Sequence, residues 1–344
     1  MRNLSMMTDL YQLTMMYGYY KSDMLDNKAV FDMFYRQTSA VTHYAIMAGV
    51  EQLVDYINNL HFDDEDIEYL RSLNLFDEGF LALLKNLHFT GDIEAVPEGT
   101  VVFSGEPLVR VTAPIVEAQL VETALLNIIN HQTIIATKAS RVALAAKGDK
   151  VLEFGLRRAQ GPDAGIYGAR AAVIGGCDST SNVLTGSMFN IPVSGTHAHS
   201  WVMSFPDELT AFRAYAKFFP DACLLLVDTF NVLKSGMPHA IQVFKELRAA
   251  GHEPLGIRID SGDLAYLSRE ARRMMDEAGF PNAKVCVSGD LDEYLINDLK
   301  QQGARIDIWG VGTKLITSSD CPALGGVYKL AAEIIDGRVV NKMK

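Results

Sequence analysis

The second half of the chain places polar side chains directly after short apolar runs, and these side chains are candidates for chemistry. Asp228 and Thr229 follow LLLV, Asp260 follows LGIRI, and Gly289 with Asp290 follows KVCVS. Carboxylates at such positions could hold a hydroxylated ligand or Mg²⁺, or they could cap the helix that begins next. For Asp263 we expect the capping role, whereas for Asp260 the spacing favours a functional role.

Groups suited to anions follow two other apolar runs. The GVGT turn at 310–313 offers glycine amides and a threonine hydroxyl that could cradle a phosphate, although tight strand–helix connections also use paired glycines. Arg157 and Arg158 follow VLEF, and they could grip an anion with guanidinium forks or form surface ion pairs. These groups indicate an anionic small-molecule ligand.

Two histidines and two lysines keep alternative chemistries open. His197 and His199 lie two residues apart in one short motif, and spacing alone does not choose between them. Lys314 and Lys234 lie close to strand ends and would suit a Schiff base in an aldolase-like barrel.

A repeating strand–helix unit must position these groups. Its apolar strands and polar ends are LLLVDT at 224–229, LGIRID at 255–260, KVCVSGD at 284–290 and IDIWGVGT at 306–313. Strands that are apolar on both faces and alternate with helices predict a parallel sheet, with ligands beyond its carboxyl ends. Similar strands at 151–155 and 191–196 raise the number to at least six, which favours a barrel over an open sheet.

The first 130 residues differ in pattern and predict a separate α/β domain. Residues 27–36 alternate as a two-faced strand, 64–84 carry helical spacing, and 91–114 form a Val-rich β module punctuated by Pro and Gly. A long helix is predicted from 116 to about 147. The barrel would then occupy 131–317, with 318–344 expected to pack back on the first domain.

Composition excludes several classes of protein. The chain has 31 Lys and Arg against 42 Asp and Glu, a net charge of −11, which argues against a nucleic-acid partner. No apolar segment is long enough for a membrane span, and no secretion signal is expected at the amino terminus. Four cysteines without a C-x-x-C pair indicate reduced thiols, and together these features predict a cytoplasmic protein.

Nine ordered motifs resemble the nicotinate phosphoribosyltransferase family. They are TDLYQLTM (8–15), FDMFYR (31–36), EFGLRRAQGPDAG (153–165), GGCDSTSN (175–182), GTHAHSW (195–201), LLVDTFNVLKSG (225–236), GIRIDSGDL (256–264), VSGDLDE (287–293) and WGVGTKL (309–315). The resemblance implies a type II phosphoribosyltransferase, with an irregular, TIM-like α/β barrel and an N-terminal α/β sandwich domain.

The resemblance also implies a reaction. Nicotinate and 5-phosphoribosyl-1-pyrophosphate would give nicotinate mononucleotide and pyrophosphate in NAD biosynthesis. ATP would be hydrolysed as a coupled co-substrate, and it would phosphorylate one histidine of the enzyme. Mg²⁺ would accompany the pyrophosphate, although its protein ligands are not assigned. The family resemblance implies a homodimer in which the N-terminal part of one subunit completes the other's site.

Site residues follow from the matched motifs. The phosphorylated histidine matches His199, whereas His197 falls on a variable position; Arg258 matches an arginine near the nicotinate carboxylate and Asp260 a ribose-side aspartate. Tyr11 from the partner subunit and Phe154 match the aromatic pair around the pyridine ring. The remaining matches to substrate-binding residues are Arg157, Asp178, Thr196, Ser288, Gly289, Asp290, Gly310, Gly312 and Thr313.

Two alternatives remain at this point besides the aldolase-like barrel. A related enzyme could use nicotinamide or quinolinate, because discrimination between carboxylate and amide can rest on one side chain. A non-catalytic regulatory subunit is a second alternative. Members of the family that the motifs resemble commonly continue beyond GRVVNKMK. We therefore expect this sequence to be either a short form or a truncated form.

Overall fold

The computed structural model describes residues 3–37, 39–335 and 337–342. The chain divides into two compact units. The first unit comprises Met1–Thr137 and Cys321–Lys344, and the second comprises Lys138–Asp320. Within the described ranges, no helix is both long and apolar enough to cross a bilayer.

The first unit is built on an antiparallel sheet. Its strands are β1 (Lys28–Arg36), β2 (Ala45–Ile46), β3 (Asp92–Ala95), β4 (Val101–Val102), β5 (Val109–Pro114), β12 (Gly325–Ile335) and β13 (Arg338–Asn341). The five-stranded order is β13-β12-β1-β5-β3, and β2 pairs with β4 separately. The C-terminal segment therefore enters this sheet, because β12 pairs with β1 along its whole length.

The alternation predicted for the strand at 27–36 is confirmed in β1. Ala29, Phe31, Met33 and Tyr35 are buried on one face. Phe31 stacks on Tyr328 of β12, with ring centroids 4.7 Å apart. Apolar burial on alternate residues thus fixes the register of the central strand.

Helices cover the first unit and lead into the second. They are α1 (Leu10–Lys21), α2 (Val50–Asn58), α3 (Asp64–Ser72), α4 (Glu78–Lys85), α5 (Ile115–Leu120) and α6 (Glu122–Ala146). The single helix predicted from 116 to about 147 is interrupted at Val121, which separates α5 from α6. The sequence carries neither proline nor glycine at this break, so no local signal marks it.

The second unit alternates strands and helices. Its strands are β6 (Lys150–Glu153), β7 (Ser179–Thr180), β8 (Leu224–Leu226), β9 (Gly256–Ile259), β10 (Lys284–Val287) and β11 (Ile308–Val311). Its helices are α7 (Pro162–Ile174), α8 (Val183–Phe189), α9 (His199–Met203), α10 (Glu208–Phe218), α11 (Met237–Ala249), α12 (Leu264–Glu277), α13 (Glu293–Gln301) and α14 (Thr313–Ile316).

The six strands form one parallel sheet in the order β7-β6-β11-β10-β9-β8. This confirms the predicted parallel arrangement; the consecutive strands β8 to β11 are neighbours, and β11 also pairs with β6. The strand predicted at 191–196 is reduced to one bridge between Val193 and Thr180, and β7 was not predicted. Because β7 has only two residues and the 191–196 segment has one bridge, the barrel is irregular at this place.

Aspartates begin several of the helices that follow the strands. Asp263 accepts a hydrogen bond from the Tyr266 amide at 2.9 Å, and Asp292 accepts one from the Leu295 amide at 2.8 Å. Both side chains therefore satisfy amides that have no partner inside the helix. The capping role predicted for Asp263 is confirmed, which leaves Asp260 free for another role.

A buried ionic cluster ties α6 to α13 inside the second unit. The Lys138 side chain is 2% exposed, and its Nζ lies 2.7 Å from Glu293 and 3.1 Å from Asp320. Arg141 lies 2.9 Å from Asp320 and 3.2 Å from Glu293. Two cations face two carboxylates, so removal of one member leaves an uncompensated buried charge.

We predict that Lys138→Met lowers the free energy of unfolding by about 3 kcal/mol, because breaking one partner of a buried pair is strongly destabilising. Urea denaturation measures this change. The matched control is Lys85→Met, which removes the exposed ion pair with Asp64 and should leave stability nearly unchanged. Equal losses of unfolding free energy in Lys138→Met and Lys85→Met would contradict the prediction that burial makes the Lys138 ion pairs important for stability.

The same cluster has a defined pH dependence. Burial raises the pKa of Asp320, but the hydrogen bond from Lys138 and the charges of Lys138 and Arg141 outweigh it, so the pKa falls below 3.8. A lowered carboxyl pKa stabilises the fold above the unfolded value and loses that contribution as pH falls further. The stability gap between Lys138→Met and the parent protein should therefore narrow below about pH 4.

Candidate active site

The site lies at the carboxyl ends of β8, β9 and β10, and Asp260 is its centre. The Asp260 amide donates to Oδ2 of Asp228 at 3.0 Å, and the Ser261 hydroxyl donates to the same oxygen at 2.6 Å. The Ser288 hydroxyl donates to Oδ1 of Asp260. Side chains that are distant in sequence thus meet here because parallel strands end at one edge.

His199 faces this carboxylate. Its Nε2 lies 4.0 Å from Oδ2 of Asp260, and its Nδ1 lies 3.1 Å from the Thr229 hydroxyl. His199 is the first residue of α9, and the imidazole is partly exposed. With one ring nitrogen held by Thr229, the other is accessible for proton or phosphoryl transfer beside Asp260.

Arg258 is held with an unused donor. Its Nη1 donates to the Thr196 hydroxyl, and its Nε is buried without a hydrogen-bond partner among the described residues. Oδ1 of Asp228 is likewise buried and unpartnered in this part of the chain. Unpaired buried polar atoms are rare and costly, so a donor and an acceptor at one site point to a polar ligand.

Phe154 packs over a glycine at the end of a neighbouring strand. A Cβ added to Gly310 would lie 2.7 Å from the Phe154 ring and 3.2 Å from Cβ of Ser288. The ring also contacts the apolar cluster of Leu152, Leu224, Cys286 and Ile308. Phe154 is therefore fixed on the same side of the sheet as Ser288, with glycine required beneath it.

The two glycine-containing loops lie after adjacent strands. Gly289 has φ +118°, and a Cβ there would lie 3.0 Å from the Asp260 carbonyl, so glycine is needed for this turn. Asp290 is exposed beside it, and Gly312 and Thr313 follow the neighbouring strand β11. Gly312 and Thr313 are half-buried, and the backbone and hydroxyl groups of these loops suit a phosphate.

The Schiff-base alternative loses support at Lys314. Its Nζ donates to Asp292 at 2.7 Å, and this hydrogen bond raises the pKa of the lysine. A Schiff-base lysine requires the opposite shift, because it must react as the neutral amine.

Two of the sequence-based candidates, Asp178 and Arg157, are not brought into this cluster, whereas Tyr11 was assigned to the partner subunit's site and that assignment stays a prediction. Asp178 precedes β7 rather than following it, and its carboxylate accepts the Val151 amide at 2.8 Å at the beginning of β6. Arg157 is exposed on the turn Leu156–Arg158. Tyr11 belongs to the other unit and is 49% exposed; burial, followed by the charges of Glu122 and Asp9, raises its pKa.

Two residues of the site, and a third beside Phe154, were given no role by motif matching. They are Asp228, which bridges Asp260 and Ser261; Thr229, which contacts His199; and Glu153, which accepts the Thr180 hydroxyl at 2.6 Å and the Gly155 amide. Burial raises the pKa of Glu153, although both hydrogen bonds oppose the shift. Asp228 and Thr229 carried a sequence signal because they follow an apolar strand, whereas Glu153, although it begins the motif EFGLRRAQGPDAG, lies within a strand and was given no role.

Proteins of high sequence similarity share one name. The chain is 53% identical to nicotinate phosphoribosyltransferase of Bacillus subtilis over 342 residues, which covers 99% of this chain and 69% of that protein. It is 35% identical to the Bos taurus protein of the same name, covering 95% of this chain and 71% of that one.

Solved structures show the same architecture. Human nicotinic acid phosphoribosyltransferase matches with a TM-score of 0.85 at 33% identity, covering 95% of this chain and 74% of that chain. Nicotinate-nucleotide pyrophosphorylase from Pyrococcus furiosus matches with a TM-score of 0.78 at 23% identity, covering 99% and 78%, and shows the fold alone.

Family models cover nearly the whole chain. The nicotinate phosphoribosyltransferase (NAPRTase) N-terminal domain matches residues 6–130, and the nicotinate phosphoribosyltransferase (NAPRTase) family matches residues 150–344. With these matches and a site built at the carboxyl ends of the parallel strands, the chain belongs to the nicotinate phosphoribosyltransferase family.

Proposed function

We propose that this chain joins nicotinate to 5-phosphoribosyl-1-pyrophosphate, forming nicotinate mononucleotide and pyrophosphate for NAD biosynthesis. The observation that carries the proposal is the convergence of Arg258, His199 and Asp260 at one edge of the sheet in a chain of this family. An unpaired arginine donor and a carboxylate acceptor are suited to an anionic heterocycle and a sugar hydroxyl.

The reaction requires charge stabilisation rather than a protein nucleophile. The pyridine nitrogen forms a bond to C1′ of the ribose, and the C1′–oxygen bond breaks with its electron pair leaving on pyrophosphate. The ribose is electron-poor at the transition state and the leaving group is highly charged. Fixed dipoles and charges at the strand ends serve this chemistry because they need little reorganisation.

Each substrate part has a suitable group in the second unit. Arg258 would bind the nicotinate carboxylate, and the Phe154 ring would lie against the pyridine. Asp260 and Asp228 would accept ribose hydroxyls. The loops at Gly289 and 310–313 would hold the ribose phosphate through amides and the Thr313 hydroxyl.

His199 would link the reaction to ATP. Phosphoryl transfer from ATP to one imidazole nitrogen, with ADP leaving, would add about 1.5 to 2 negative charges beside Asp260, by analogy with other phosphoresidues. That charge would reshape the site and tighten substrate binding. Hydrolysis of the phosphohistidine would release phosphate and reset the site, so ATP drives the cycle without entering the product.

Mg²⁺ fits the available donors only together with a substrate. Among the described residues no group of three or more His, Cys, Asp or Glu could hold a metal ion. Mg²⁺ commonly takes one or two carboxylates, waters and substrate phosphates, and the unpartnered Asp228 oxygen with Asp260 would supply the carboxylates. When bound, the ion would neutralise charge on the leaving pyrophosphate.

We propose a homodimer in which Tyr11 completes the partner's site. In the first unit, α1 exposes Leu10, Tyr11 and Met15; in the second, α8 exposes Val183, Leu184 and Met188. Exposed apolar faces of this kind are typical of interaction surfaces. A cytoplasmic location agrees with the four cysteines, all of which are buried thiols that form no disulfide.

His199→Ala should abolish nicotinate-dependent ATP hydrolysis while leaving some transfer uncoupled from ATP. The variant loses the phosphate acceptor but keeps Arg258 and the strand-end loops. Release of phosphate and conversion of labelled 5-phosphoribosyl-1-pyrophosphate are measured in parallel. The matched control is His88→Ala, because His88 is exposed in the other unit. Full coupling in His199→Ala would refute the role of this histidine.

Arg258→Gln should raise the KM for nicotinate by about 10- to 100-fold, because hydrogen bonds to charged groups contribute about 1.5–3 kcal/mol. The KM for 5-phosphoribosyl-1-pyrophosphate should change much less. Steady-state kinetics with nicotinate, nicotinamide and quinolinate measure both effects. A parent protein that prefers quinolinate or nicotinamide would contradict the proposed substrate.

Gly310→Ala should displace the Phe154 ring, since the new methyl group would lie 2.7 Å from it. We expect the KM for nicotinate to rise about tenfold, as overpacking costs about 1–3 kcal/mol, with a smaller effect on the sugar substrate. Gly18→Ala is the control, because a Cβ there meets no atom within 4 Å. Equal effects on both substrates would argue against a ring-positioning role.

A further inference from the structure

The parallel sheet of the second unit has a gap beside its edge strand β8, because only β9 among the described strands pairs with β8. The hydrogen-bonded order ends at β8 on one side, and on the other side β7 is extended only by the bridge from Thr180 to Val193. The segment after Val193 leads through Thr196 to His199. The site residues of this segment therefore lie where no regular strand pairing holds them to β8.

A side chain spans this gap. The Leu226 amide of β8 donates to Nε2 of His197 at 3.1 Å. On the other side of the same strand, the next amide, Val227, donates to the Arg258 carbonyl at 3.0 Å. His197 therefore occupies the place where a neighbouring strand would present a carbonyl oxygen.

The hydrogen bond defines the protonation of His197. Because Nε2 accepts, the proton of the neutral ring is on Nδ1, which lies 3.4 Å from the Ala198 carbonyl. Burial, together with the charges of Arg258 and His199, lowers the pKa of His197 to about 4, although the Ala198 hydrogen bond opposes this shift. The ring therefore stays an acceptor at neutral pH.

Packing holds the ring in this orientation. His197 is buried, and two aromatic rings of α10 contact it. The Tyr215 ring meets it edge-on with centroids 4.7 Å apart, and the Phe212 centroid lies at 6.2 Å. A ring fixed from one side by α10 and from the other by β8 can anchor the backbone that carries it.

We propose that His197 is a positioning residue whose imidazole replaces the missing strand pairing and fixes segment 196–199 to β8. Thr196 and His199 flank the anchor. The first accepts from Arg258, and the second lies 3.1 Å from Thr229 and 4.0 Å from Asp260. The anchor thereby sets two contacts of the site without touching a substrate.

Two variants separate anchoring from simple packing. His197→Gln keeps a side-chain acceptor that can reach the Leu226 amide, whereas His197→Leu keeps apolar bulk and removes the acceptor. The matched controls are His88→Gln and His88→Leu at an exposed histidine of the other unit. Melting temperatures of all four variants monitor folding.

Amide hydrogen exchange at single-residue resolution tests the anchor directly. In His197→Leu the protection of the Leu226 amide should fall about tenfold, the size expected for one lost hydrogen bond. Val227 should stay protected, because its partner is the Arg258 carbonyl. His197→Gln should protect both amides. Unchanged Leu226 protection in His197→Leu would overturn the proposal.

The kinetic test rests on the proposed function. His197→Leu should lower kcat/KM by about tenfold or more, and His197→Gln should restore it to within about threefold of the parent value. If Gln protects Leu226 but leaves activity as low as Leu does, His197 acts chemically and the positioning role is wrong. If the Leu226 amide loses its protection in His197→Leu while kcat/KM stays at the parent value, the positioning role is also wrong.

One measurement remains if His197→Leu does not fold. In the parent protein, ¹⁵N NMR should show a neutral His197 with its proton on Nδ1 between pH 6 and 8, because a pKa of about 4 leaves the ring uncharged in that range. A protonated Nε2 would overturn the proposal. If the parent protein lacks nicotinate transfer, the proposed function fails, whereas the exchange and NMR results still decide the anchor.

Discussion

The site depends on the hydrogen-bonded carboxylates of Asp260 and Asp228. Asp228 receives the Asp260 amide and the Ser261 hydroxyl, and Asp260 receives Ser288 while facing His199. Three strand ends are thereby coupled through two acidic side chains. Because ionised carboxylates accept but do not donate, every neighbour in this network must supply a proton or a positive charge. A sugar hydroxyl, a bound cation or a protonated imidazole meets that requirement, which connects the local hydrogen bonding to the choice of ligand.

The second constraint on the site is the close approach of neighbouring strand ends, which requires glycine at two positions. Gly310 leaves space for the Phe154 ring, and Gly289 adopts φ +118° against the Asp260 carbonyl. A side chain at Gly310 would push the aromatic ring away from the carboxylates, and one at Gly289 would push the turn after β10 away from them. The glycines therefore set distances in the site, whereas Arg258 and Asp260 set its charge. The two kinds of residue are adjacent because β9, β10 and β11 are neighbours in one parallel sheet.

Sequence patterns predicted the strands whose burial follows a local period along the chain. They missed the features that are defined only by contacts with distant parts of the chain. The two-faced strand β1 and the parallel strands β8 to β11 were recognisable because burial imposes alternation or continuous apolar runs. The two-residue strand β7 and the break at Val121 have no such pattern, since tertiary packing alone defines them. Asp178 illustrates the same limit: its place in a motif says nothing about which end of β7 it occupies, and the structure places it before the strand.

The two histidines of GTHAHSW show how one short segment separates two roles. A regular extended backbone would turn residues 197 and 199 toward the same face, but the regular sheet is interrupted here and α9 begins at His199. His197 is buried between β8 and α10, where desolvation keeps it neutral and able to accept the Leu226 amide. His199 remains partly exposed beside Thr229 and Asp260, where a ring nitrogen can exchange a proton or phosphoryl group. Burial thus gives the same side chain a structural role at one position and leaves it reactive at the other.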